Sequence, residues 1–384
     1  MATPTSHPHS LSWLDKLCYP GENADTMGLA QADRKHETDL DYQEAILQQV
    51  SRTFALTIPR LPENLRTVVS NAYLLCRLAD TVEDSAALSV DQKRRLLDMF
   101  IGVVSTVCRG LTNCGEQDSE EFAQAAAPLL AADTLEAERD LIRNTARVLR
   151  ITRGFAAEDR AALERCVRIM AQGMDFTQQF VVAGQTVTGR WANGLPDQEH
   201  LDAYCYHVAG VVGEMLTELF CIHSQTVARH REDLSRLAVS FGEGLQLTNI
   251  LADVWDDKRR NACWLPQSVF TRHGFNLKDL SEDCHGQAFQ DGLADLIAVA
   301  RRHLENALTY TLTIPKSEPG IRAFCLLAIG MAVLTLRRIN KRRDFTSRAQ
   351  VKISRRAVYA TILATRLAGR SNLLLKTIFA ACVT

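Results

Sequence analysis

The sequence predicts an all-α fold, and three observations carry that reading. From about residue 40 onward apolar residues recur every three or four positions, and strict apolar/polar alternation is nearly absent. Gly, Pro and Asn gather in short stretches at 109–118, 184–196, 258–266 and 313–320, which read as loops between helical runs. None of these is long enough to link independent domains. The expected organisation is one helical bundle over 40–384 behind a flexible N-terminal arm, 1–39. The first twenty residues are polar with three prolines, and they lack an apolar signal core or an Arg-rich amphipathic pattern.

In order along the chain, "LDYQEAILQQVSRTFALTI" reads as a helix stopped by Pro59, because proline lacks a donor and restricts the residue before it. The next, 61–84, restarts with Pro62 near its N-terminus. "SVDQKRRLLDMFIGVVSTV" opens with a Ser89-x-x-Gln92 capping box. Further periodic runs fall at 134–151, 158–183, 198–225, 231–256, 286–312, 320–341 and 353–382.

A formal net charge of −1 on 384 residues gives no electrostatic case for nucleic acid. The eleven cysteines show no C-x-x-C and no Cys/His ladder, so they read as reduced thiols of a cytoplasmic protein, with Cys76, Cys205 and Cys325 in core positions. No apolar run reaches the eighteen or so residues that span a bilayer. "AFCLLAIGMAVLTL" (323–336) and "LLLKTIFAACV" (373–383) are either core helices or interfacial contacts.

The chemistry-bearing signal is acidic. Asp80, Glu83 and Asp84 stand at i, i+3 and i+4 at the end of an apolar helix, so their side chains share one face. The spacing recurs at Asp253, Asp256 and Asp257, with Gln246 and Asn249 on the preceding turns. Either cluster alone could be a solvated helix end. Two of one geometry, facing each other, would hold Mg²⁺, a hard cation that keeps waters and completes its shell with phosphate oxygens. Ser51, Arg52 and Arg77 could grip those oxygens, the arginines alternatively forming salt bridges. Lys258, Arg259 and Arg260 either neutralise Asp256 and Asp257 or reach the ligand. Around Tyr204 and His207, Ala209, Gly210 and Gly213 allow either a helix backbone or a lipid chain to come close. A diphosphate head on a long apolar tail fits such a site.

The motifs "SRTFALTIPRLP", "YLLCRLADTVED", "YCYHVAGVVG" and "GLQLTNILADVWDD", in this order and at these separations, resemble the squalene/phytoene synthase family of head-to-head prenyltransferases. The resemblance implies an all-α isoprenoid-synthase fold whose central cavity is closed by Mg²⁺ between two aspartate-rich helices. It implies Asp80 and Asp84, with Glu83 beside them, as metal ligands on one side and Asp253 and Asp257 on the other. Ser51, Arg52 and Arg77 would hold diphosphate oxygens, and Gln246 and Asn249 would line the cavity. Tyr73 and Tyr204 match family tyrosines of the cavity wall, with Tyr204 steering the carbocation or assisting proton removal. Where the family commonly carries an arginine, nine residues after the first aspartate of the second motif, this chain has Ala262, so Arg259 or Arg260 would take over that contact.

The last third, "IPKSEPGIRAFCLLAIGMAVLTL" and then "VKISRRA", looks like the squalene-forming branch of the family. That branch implies Phe324 in the second-step cavity and Lys352 and Arg355 at NADPH. No G-x-G-x-x-G is present, so a nicotinamide cofactor would be held without a Rossmann unit. The expected reaction joins two farnesyl diphosphates into presqualene diphosphate and then reduces it to squalene. The alternatives are a phytoene, dehydrosqualene or presqualene diphosphate synthase, an inactive lipid-binding or assembly factor, and a class I terpene cyclase. A monomer is expected, touching a membrane peripherally through 323–336 and 373–383 to release its product.

Overall fold

The computed structural model describes residues 38–51, 53–85, 87–111, 115–182, 185–188, 194–259, 262–283 and 285–383, with side chains left undescribed over 175–188 and at 383. The arm expected over 1–39 therefore lies almost wholly outside the described residues. The described residues form an all-α bundle, as the periodicity predicts, with a main hydrophobic core running from Tyr42 to Val351. The exception is a two-stranded antiparallel hairpin, Gln179–Val182 with Gln185–Thr188, where a helix to 183 and then a loop are expected. Its residues, QFVV and QTVT, are rich in β-branched side chains that favour extended backbone.

Several expected helices are divided. The first ends at Val50, because Ser51 turns extended and its hydroxyl accepts the Phe54 N–H at 3.0 Å, starting a new turn at Phe54–Thr57. Pro59 sits inside the 3₁₀ turn Ile58–Arg60, where its missing N–H costs nothing. The 134–151 run breaks at Asn144, whose amide donates to the Asp140 carbonyl at 2.8 Å. The 198–225 run becomes Gln198–Cys205, a wide π-turn over Tyr206–Gly210, and Val211–His223. A helix over Gly115–Ala126 occupies part of the stretch that reads as a loop. The Ser89 capping box forms as predicted.

The two long acidic helices, Glu63–Asp84 and Arg231–Arg259, are held from different sides. Glu63–Asp84 packs on Asp39–Val50, Val90–Cys108 and Ala157–Gln178, whereas Arg231–Arg259 packs on Gln287–Thr313 and Pro319–Lys341; both touch Val211–His223. On the first side a closed polar network fixes the register. Asn71 donates to Gln43 at 3.1 Å and to the Val148 carbonyl at 3.0 Å, while Thr152 donates back to Asn71 at 2.7 Å. On the second side small residues do it. A Cβ at Gly242 would run into the Ala209 carbonyl, and one at Gly213 into the Ala238 carbonyl. The Ala/Gly stripe is thus a backbone-to-backbone helix contact rather than a lipid groove.

Pro319–Lys341 is apolar enough to cross a membrane by composition, yet 72% of its most apolar window is buried in the bundle. The 323–336 stretch is core, so the membrane contact expected there is corrected. Arg322 on this helix is buried and donates to the carbonyls of Thr311 at 3.1 Å, Ile314 at 2.6 Å and Gly369 at 2.9 Å, and to the Asn372 side chain at 2.8 Å. These bonds clip the last two helices, Arg355–Ala368 and Asn372–Val383, onto the core. Among the described cysteines none is paired, and Cys76, Cys205 and Cys325 are buried as expected.

Gly242→Ala tests the close helix contact. The added methyl must displace a backbone carbonyl, a cost of about 2 kcal/mol. Thermal unfolding should fall by several degrees, whereas an unchanged midpoint would mean that the helices are not in backbone contact.

Candidate active site

Tyr73, Arg77, Asp80 and Asp84 follow at i, i+4, i+7 and i+11, and so share one stripe of the Glu63–Asp84 helix. Gln246, Asn249, Asp253 and Asp257 form the matching stripe of Arg231–Arg259. Asp80, Asp253 and Asp257 are buried, at 6%, 2% and 3% exposure, which no solvated helix end would be. Glu83 and Asp84 are half-buried. The helix end beyond Asp80 is also met by Lys93, whose ammonium donates to the Glu83 carbonyl and so complements the negative end of the helix dipole.

Tyr204 links the two ends. Burial raises its hydroxyl pKa well above the ordinary tyrosine value, and the charges of Glu83, Asp257 and Asp84 push it further. Groups from both acidic clusters therefore act on one phenol. Its ring lies flat on Trp264, 4.1 Å between centroids and 5° between planes. Trp264 is held in place because the Ala262 N–H donates to the Asp257 carbonyl at 2.9 Å and Leu195 N–H to the Leu265 carbonyl at 2.8 Å.

The apolar side is a run of aromatic rings. Tyr73 donates its hydroxyl to the Val50 carbonyl at 3.0 Å and stacks on Phe54 at 5.7 Å. Phe54 meets Phe324 at 6.1 Å, and Phe324 meets Phe220 edge-on at 6.1 Å. The family resemblance implies Tyr73 in the cavity wall and Phe324 in the second-step cavity; Phe54 touches both rings. Phe54 lies inside "SRTFALTIPRLP", and that motif is the signal from which it could be found.

The cations fall in less expected places. Arg77 is buried, and its guanidinium forms an ion pair with Glu138 at 2.5 Å, a residue with no spacing that could have linked the two. Arg259 pairs with Asp256 at 2.6 Å and donates to the Thr346 carbonyl at 3.2 Å, so self-neutralisation describes that pair. Arg52 and Arg260 lie outside the described residues. Arg348, not singled out from the sequence, forms an ion pair with Asp253. It is carried by the short turn Arg348–Val351, which packs on the second acidic helix. Lys352 follows directly, half-buried, while Arg355 is exposed at the start of the next helix.

The donors suit a hard divalent cation. Every polar group on the two stripes except Arg77 and Tyr73 offers oxygen, and the Gln246 amide oxygen is buried without a hydrogen-bond partner among the described residues. The Thr53 hydroxyl, next to the Ser51-Arg52 turn, is in the same condition. Among the described residues no three acidic, His or Cys side chains converge tightly enough to enclose a metal alone. Mg²⁺ is usually bound by one or two carboxylates together with water and substrate phosphate.

The sequence pattern of the squalene/phytoene synthase family matches residues 47–357, and the chain belongs to that family. Among curated relatives, squalene synthase ERG9 of Gibberella zeae is 24% identical over 84% of this chain and 65% of its own length. Squalene synthase BSS of Botryococcus braunii is 28% identical over 85% and 65%. The squalene synthase of Homo sapiens is 28% identical over 76% and 61%. The chain thus spans about two thirds of the length of these relatives. In fold it is similar to TcSQS bound to the ligand E5700, with TM-score 0.69, 24% identity and coverage of 90% and 91% of the two chains. It is also similar to a dehydrosqualene synthase, with TM-score 0.54, 20% identity and coverage of 87% and 97%. The all-α prenyltransferase fold expected from the motifs is therefore observed.

One turn before Gln246, Glu243 faces His303 at 3.4 Å, and burial with the nearby Asp202 charge raises its pKa to about 7. A raised carboxyl pKa makes the folded state hold its proton longer, so stability falls as pH climbs from the ordinary value of 4.5 toward 7. Glu243→Gln should therefore raise the unfolding temperature at pH 8 and give little gain below about pH 4, where both states are protonated. Equal stability at pH 8 would contradict the burial of this carboxyl.

Proposed function

We propose that the protein is a squalene synthase, joining two farnesyl diphosphates head to head and reducing the presqualene diphosphate so formed with NADPH. The observation that carries the reading is the pair of matching acidic stripes, buried at Asp80, Asp253 and Asp257, with the Tyr73 ring and its contacts on the first of them. The squalene synthases among its relatives support the product, and their greater length leaves the complete activity to experiment.

Asp80 and Asp84 on one helix, and Asp253 and Asp257 on the other, would hold Mg²⁺, with Glu83 close enough to tune the first pair. When bound, that cation supplies charge neutralisation to the departing diphosphate. Gln246 and Asn249 offer amides toward the same diphosphate. Arg348, already at Asp253, brings a guanidinium suited to phosphate oxygens, in the role that the motifs assign to Arg259 or Arg260. Ser51 holds the turn at Phe54 by accepting its N–H, and its own O–H stays able to donate to a diphosphate oxygen. Tyr73, Phe54 and Phe324 present π-faces to an allylic cation and exclude water from it. Tyr204, whose ring is stacked on Trp264, would steer the carbocation or assist proton removal. Lys352, on the segment that carries Arg348, would take a phosphate of NADPH, which supplies hydride to the second half-reaction. Arg355 is exposed at the edge of that position.

The dehydrosqualene-type reading keeps the first half-reaction and drops the reductive one. Product analysis from farnesyl diphosphate and Mg²⁺ separates the two. Squalene should form with NADPH consumption, presqualene diphosphate should accumulate without NADPH, and Lys352→Ala should show that accumulation at NADPH levels that sustain the wild type. A hydrocarbon product formed without NADPH oxidation would overturn the reductive assignment, and no diphosphate release would overturn the enzyme.

A further inference from the structure

Ten large hydrophobic residues are exposed among the described residues, and five of them lie between 359 and 374: Tyr359 at 71%, Leu363 at 57%, Leu367 at 74%, Leu373 at 79% and Leu374 at 43%. Scattered exposed leucines need no explanation, but half of them within sixteen residues form a patch. On Arg355–Ala368 the first three stand at i, i+4 and i+8, a single stripe about 12 Å long. The opposite face is bound to the bundle. Ala357 and Val358 pack beside Met331 and Ile353, a Cβ at Gly330 would strike Thr361, and Ala368 is buried with Leu308, Leu326 and Leu375. With Arg322 clipping Gly369 and Asn372, the stripe can only face outward.

Charge decides what covers it. After Asp344 the sequence contains no Asp or Glu, while it carries Arg348, Lys352, Arg355, Arg356, Arg366, Arg370 and Lys376. On the helical wheel Arg356 and Arg366 fall among Tyr359, Leu363 and Leu367 rather than opposite them, and Arg356, Arg366, Arg370 and Lys376 are all exposed. An apolar stripe flanked by cations, with no acid in the segment, suits a surface that is apolar inside and negative at its rim. Leucine and tyrosine would enter the acyl boundary while long basic side chains snorkel to headgroup phosphates.

We propose that the exposed face of residues 355–376 docks the protein on an anionic lipid bilayer, lying in the interface without spanning it. The proposal stands on this face alone and not on the catalytic reading, so the two fail separately. It replaces the buried 323–336 segment with 355–376 and assigns to the 373–383 segment only its exposed N-terminal leucines.

Co-sedimentation of the full chain with vesicles tests it. Vesicles of phosphatidylcholine with about 30 mol % phosphatidylglycerol should bind at least about thirtyfold more tightly than phosphatidylcholine alone, and raising salt to about 0.5 M should remove the difference. The double variant Leu363→Glu/Leu367→Glu should lose at least tenfold in partitioning. Arg366→Gln/Arg370→Gln should lose roughly thirtyfold on the anionic vesicles, at about 1 kcal/mol per cation, and nothing on the neutral ones. Unchanged helicity and melting in both variants would keep the comparison clean. Wild-type protein that ignores anionic vesicles would overturn the proposal, as would binding equal in all variants. So would a wild-type dimer that the leucine variants convert to monomer, because the face would then meet a second copy.

Discussion

Everything in the site derives from like charges brought where they repel. Asp80 and its neighbours close one helix, Asp253 and Asp257 close another, and three of these carboxylates are almost without solvent. Buried anions at such spacing are tolerated only with cations or hydrogen bonds to match them. The protein provides part of the match itself, through Arg348 at Asp253 and Lys93 behind Glu83. Under the proposed function, Mg²⁺ would add positive charge at these carboxylates and carry the diphosphate with it.

The rest of the fold serves to hold those two helix ends apart and in register. Neither acidic helix leans mainly on the other. The Asn71 network fixes the first against its neighbours, and the Gly213 and Gly242 contacts fix the second. Between them Tyr204 responds to charges from both sides, and the rings of Tyr73, Phe54, Phe324 and Phe220 form the apolar flank. Under the proposed function, one flank would bind the diphosphate and the other would shelter a cationic hydrocarbon.

Much of this is legible in the sequence, and the part that is not has a physical reason. The stripes of Asp80 and Asp84, and of Asp253 and Asp257, are local repeats on single helices, so spacing alone exposes them. The helix break at Ser51 is hidden because the apolar period runs through it; only the side-chain bond to Phe54 N–H stops the helix. The Glu138 partner of Arg77 and the Arg348 partner of Asp253 lie 61 and 95 residues away, across packed helices, where no periodicity reaches. The apolar run 323–336 is ambiguous by composition, and only its burial separates core from interface.

The central claim is that the two acidic helices serve one diphosphate site, and a double-mutant cycle on Asp80→Asn and Asp253→Asn measures it most directly. Calorimetry would follow Mg²⁺-dependent binding of inorganic diphosphate to the wild type, each single variant and the pair. A shared site predicts strong coupling, with the double variant binding little worse than either single one. Losses that simply add would contradict the account, since they would mean two independent sites at two helix ends.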